Sequence, residues 1–98
     1  MKTDSYELTW FLAGGIRKNI SNPMQIVVES DGNGSIVSEP VFSLYAPCKD
    51  VDEGIECIRT QLSMLWDAYV KYPESKLSKG GLKLRRKLME STRDCSSD

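Results

Sequence analysis

Histidine is absent from this chain of 98 residues. That removes the commonest general base and the commonest metal ligand. Cysteine is scarce. Cys48, Cys57 and Cys95 form no CxxC pair and no even framework, so neither a zinc site nor a set of disulfides is expected. Long apolar runs are missing too. Trp10 to Ala13 is among the longest, far short of a membrane span. The first ten residues carry acids where a signal peptide needs an uncharged apolar stretch, so the expected location is cytoplasmic. The glycines of Asp31-Gly32-Asn33-Gly34 are not followed by Lys-Ser/Thr, which excludes a phosphate loop and leaves turn chemistry. Glu29 and Asp31 lie two apart, but acids beside a hairpin turn are ordinarily solvated. No catalytic set, metal or cofactor is expected.

What is present has the composition of an ordinary soluble domain, with 40% apolar and 28% charged residues. The length fits one domain, read as residues 1–93 with a loose tail over 94–98. Charge is unevenly placed. Met1 to Val70 carries five Lys/Arg against ten Asp/Glu, whereas Lys71 to Arg93 carries eight against two. An acidic body is therefore followed by a basic segment.

The fold class read from these patterns is α+β: a three-stranded antiparallel sheet packed on a long helix, with a C-terminal helix and an uncertain N-terminal element. Met24 to Ser30 is β-branched and strand-like. Asp31 to Gly34 offers residues that tolerate positive φ in a tight hairpin. Ser35 to Glu39 is the second strand, stopped by Pro40. Val41 to Ala46 is the third, placing Phe42, Leu44 and Ala46 on one face and Val41, Ser43 and Tyr45 on the other. Asp50 and Glu53 mark a helix start. Val51, Ile55, Ile58, Leu62, Leu65 and Tyr69 then form one apolar seam, widened by Trp66 and Val70. Cys57 beside that seam reads as core filler, and Cys48 as a loop thiol. Pro73 closes the helix, and a second helix lies within Lys76 to Thr92, with Ser78 as a cap.

Residues 4 to 20 fit two periods. Tyr6, Leu8, Trp10 and Leu12 alternate as in a strand, while Leu8, Phe11, Leu12 and Ile16 follow helical spacing. Asp4 with Glu7 would make a capping box. The expectation is a helix that breaks at Gly14-Gly15 and ends at Asn22-Pro23.

Two surfaces are candidates for binding. If the helix covers one sheet face, Val41, Ser43 and Tyr45 lie on the other, open to a protein partner or a second copy. Lys76, Lys79, Lys83, Arg85, Arg86 and Lys87 fall within twelve residues. Of these, Lys83, Arg85, Arg86 and Lys87 are the candidate nucleic-acid contacts. The competing reading of that cluster is a solvated helix face.

Met24 to Val70 resembles HicB-like antitoxin domains. The resemblance rests on Asp31-Gly32 with Gly34 at the hairpin, Ser38-Glu39-Pro40 at the second strand's end, and Asp50, Asp52-Glu53-Gly54 and Ile55 at the helix start. It implies a trimmed ribonuclease H-like fold without catalytic acids. It also implies a non-catalytic protein that binds and blocks a small RNA-cleaving toxin. A virus- or mobile-element-encoded inhibitor of a host enzyme suits the same small, non-catalytic chain.

Overall fold

A computed structural model describes residues 2–92. The expected tail and Cys95 lie outside the described residues. The chain begins with a long β-hairpin, β1 (Lys2–Ala13) and β2 (Ile16–Asp31). Gly14 and Gly15 form its turn, with φ of +59° and +80°. Left-handed conformation at both central residues matches the twist of paired strands. The pair expected to break a helix therefore makes a hairpin, and residues 4 to 20 are strand.

The helical spacing in this segment has a different origin. Register shifts between Leu8, which faces Met24, and Trp10, which faces Asn19. The extra residues on β2 reverse the alternation of β1, so Leu8 and Phe11, three apart, are both buried. Asp4 and Glu7 are strand residues opposite Val28 and Gln25, not a capping box. Asn22-Pro23 does not end the element. Pro23 falls in the irregular stretch between Asn19 and Met24, where a missing N–H costs the ladder nothing.

β3 (Gly34–Glu39) and β4 (Leu44–Cys48) complete an antiparallel sheet in the order β1-β2-β3-β4. The sheet has four strands, one more than the sequence indicated. At the β2–β3 turn, Asp31 Oδ1 accepts from the Asn33 N–H at 2.8 Å. Positive φ falls on Gly14, Gly15, Gly34 and Ser43, not on Gly32 or Asn33.

β4 starts three residues later than expected because of Glu39. This side chain is fully buried, and its carboxylate accepts from the N–H groups of Val41 and Phe42 at 2.7 and 2.8 Å. Both amides are drawn into a turn and cannot join a ladder. Ser43, at φ +57°, finishes that turn.

α1 (Val51–Tyr69) lies across the inner sheet face. Asp50 caps it, accepting from Asp52 N–H at 3.0 Å. Ile58 and Leu62 are buried against Phe11, Ile26, Val28, Val37 and Ala46, with Leu65, Trp66 and Tyr69 packed at the margin. A β-carbon at Gly54 would sit 2.5 Å from Val37 Cγ2 and 2.7 Å from Cys48 Sγ. The first helical turn approaches the sheet that closely only because the residue is glycine. Cys57 is exposed, not core filler.

Side arms from α1 reach both outer strands. Arg59 Nε donates to the Trp10 carbonyl at 3.2 Å, and its guanidinium lies 4.1 Å from the indole centroid. Gln61 Nε2 donates to the Tyr45 carbonyl at 3.1 Å. Phe11 meets Trp66 with centroids 6.0 Å apart.

After a short 3-10 turn at Glu74–Lys76, α2 (Lys79–Ser91) begins under the Ser78 cap, whose hydroxyl accepts from Gly81 N–H at 3.1 Å. Leu88 enters the core. No helix among the described residues is long and apolar enough to cross a membrane.

Candidate interaction surfaces

The register assigns the outer face of the sheet. Thr3, Glu29, Ile36 and Pro47 stand in one row across the four strands. Ser5, Val27, Ser38 and Tyr45 stand in the next, and Glu7 opposite Gln25 begins a third. The half over β3 and β4 is apolar, with Ile36 49% and Tyr45 67% exposed. The half over β1 and β2 carries hydroxyls and two carboxylates. Neither complete row contains a lysine or arginine. Both helices pack on the opposite face, where the core lies.

Of the expected partner-binding residues, Tyr45 belongs to this open face. Val41 and Ser43 do not. They are exposed on the β3–β4 turn, because Glu39 holds the chain out of the sheet there. Ile36 was missed. In Ser35 to Glu39 one of the adjacent residues Ile36 and Val37 must face outward, and an acid at Glu39 normally marks the wet side. Here Glu39 and Val37 are both buried, which turns Ile36 out.

The four expected nucleic-acid residues divide into two pairs. Arg85 Nη1 donates to the carbonyls of Tyr69 and Val70, at 3.3 and 2.6 Å. It thereby satisfies the end of α1, whose last turn has no basic residue of its own. Lys87 Nζ donates to the Val41 carbonyl and lies 5.1 Å from the Phe42 ring centroid. Both are occupied in holding α2 to the rest of the fold. Lys83 and Arg86 are exposed, as is Lys79.

At the other end of the molecule an open depression of about 520 Å³ is bordered by Glu29, Asp31, Ile36, Pro47, Cys48 and Lys49. Burial pushes the Cys48 thiol above its ordinary range, opposed in part by the Gly54 backbone hydrogen bond. Cys48 stands half-buried at the end of β4, so it is a strand residue and not the loop thiol expected. Among the described residues no group of three or more Cys, Asp or Glu side chains is placed to hold a metal ion. Comparison of the chain with protein-family models, curated proteins and solved structures finds no match.

Proposed function

We propose that this chain is a non-catalytic binding protein of HicB-like type that neutralises or regulates a protein partner through the open sheet face. The observation that carries the reading is the face itself. Ile36 and Tyr45 are exposed as diagonal neighbours on adjacent strands, with half-buried Val27 and Ser38 completing the Tyr45 row. Exposed aromatic and aliphatic groups clustered on a rigid sheet are what a desolvated interface centre is made from. The outer strand β4 offers little edge for a partner strand to pair with. β4 is five residues long and contains Pro47, and the Trp10 and Tyr45 carbonyls are already taken by α1.

Element order supports the HicB-like part of the reading. β2, the Asp31–Gly34 turn, β3 ending at Glu39-Pro40, short β4 and α1 under Asp50 follow the succession that the resemblance implies. β1 is an addition, paired to the free side of β2. The partner that fits this face is basic, since Glu29 stands beside Ile36 and Glu7 lies on the same face of β1, with Lys49 at the rim of the adjoining depression as the opposing charge.

Capture from the native cells tests the proposal. The wild-type chain retains a basic protein at equimolar yield, and Ile36→Glu with Tyr45→Glu abolishes the retention while the helical circular-dichroism signal is unchanged. Recovery of no stoichiometric protein partner, or equal recovery by the double variant, contradicts it.

A further inference from the structure

We propose that Lys79, Lys83 and Arg86 form a stripe on α2 that binds the phosphate backbone of a nucleic acid, a second activity separate from the sheet face. These residues step by four and three along one side of the helix, opposite buried Leu88 and Gly81. All three are exposed. Unlike Arg85 and Lys87, they donate none of the side-chain hydrogen bonds that fasten α2 to α1 and to the β3–β4 turn. Among the described residues the ion pairs are Lys2–Asp4, Arg59–Glu56 and Lys71–Asp67, none of which draws on the stripe.

Length and chemistry both favour a phosphate backbone. Seven residues of helix advance about 10 Å. A nucleic-acid strand presents about three charges over that length, one for each cation. An interface with an acidic protein would need an apolar anchor at its centre. The apolar groups nearby, exposed Met89 and half-buried Leu82, lie to one side of the stripe and not between its cations, and Glu90 at the next step closes it. Phosphate binding by counterion release requires no anchor.

The test is fluorescence anisotropy with a single-stranded RNA and a duplex DNA of equal length and mixed sequence, across a salt series. Three contacts give a log–log salt slope of about −2.7 for the duplex and about −2.1 for the single strand. Duplex affinity then falls about 40-fold between about 50 and about 200 mM salt. Lys83→Ala with Arg86→Ala makes the duplex slope about 1.8 shallower. Arg85→Met leaves the slope in place although it loosens the end of α1, and Glu90→Gln strengthens binding. The proposal is overturned if neither probe binds the wild type at the lowest salt, or if the Lys83/Arg86 variant keeps the full slope. It is also overturned if a polyglutamate of matched charge competes as well as the RNA.

Discussion

At Gly54 one hydrogen atom decides how closely α1 lies on the sheet. Alanine there improves helix propensity by about 1 kcal/mol. Its β-carbon would press on Val37, a β-branched side chain in the core with no room to yield. Overpacking of this kind costs about 1–3 kcal/mol, so Gly54→Ala is expected to be destabilising on balance, with a lower melting temperature. Glu39 is a second residue whose context overrides its type. Glu39→Gln keeps the shape and one carbonyl acceptor, but turns its amide hydrogens towards one of the two N–H groups, that of Val41 or that of Phe42. The expected loss is about 1–3 kcal/mol in urea unfolding, with exposure of the Val41–Ser43 turn to proteolysis. Neither role is legible in sequence. A lone glycine after two acids and an acid before a proline both read as surface punctuation, and only the approach of another element gives them their work.

Among the elements, α1 was the most legible. Its seam of apolar positions, its Asp50 cap and the Ser78 cap of α2 all stand where local chemistry put them. Local patterns sufficed because helix geometry depends on neighbours in the chain. β1 was not legible, because the displaced register between Leu8 and Trp10 converts a two-residue period into a three-residue step. The hairpin gives its own test. Gly14→Asn leaves a type I′ Asn-Gly turn and changes stability by less than about 0.5 kcal/mol, because only the mobile Lys71 ammonium must move aside. Gly15→Val forces a β-branched residue to φ +80° and is expected to cost about 1–3 kcal/mol. Equal melting temperatures for these two variants would contradict the turn assignment.

At the scale of the whole molecule, the uneven charge along the chain becomes an uneven charge in space. Asp31, Asp50, Asp52 and Glu53 gather where β3 begins and α1 starts. Lys71 lies against Gly14 at the first hairpin's turn, while Arg85 sits at the end of α1 and Lys87 at the β3–β4 turn. Arg17 and Lys18, which the sequence placed in the acidic half, join Lys71 near the tip of the first hairpin. There Lys18 lies 5.3 Å from the Trp66 ring centroid. The two proposed surfaces thus have different charge and different partners, and they separate under mutation. The most direct measurement is the affinity of the captured protein partner for two purified variants. Ile36→Glu with Tyr45→Glu removes two central contacts of about 2 kcal/mol each and is expected to weaken binding by more than about 100-fold. Lys83→Glu with Arg86→Glu is expected to change it by less than about threefold, as for charges remote from an interface. The reverse order, with the helix pair decisive and the sheet pair silent, would contradict the account.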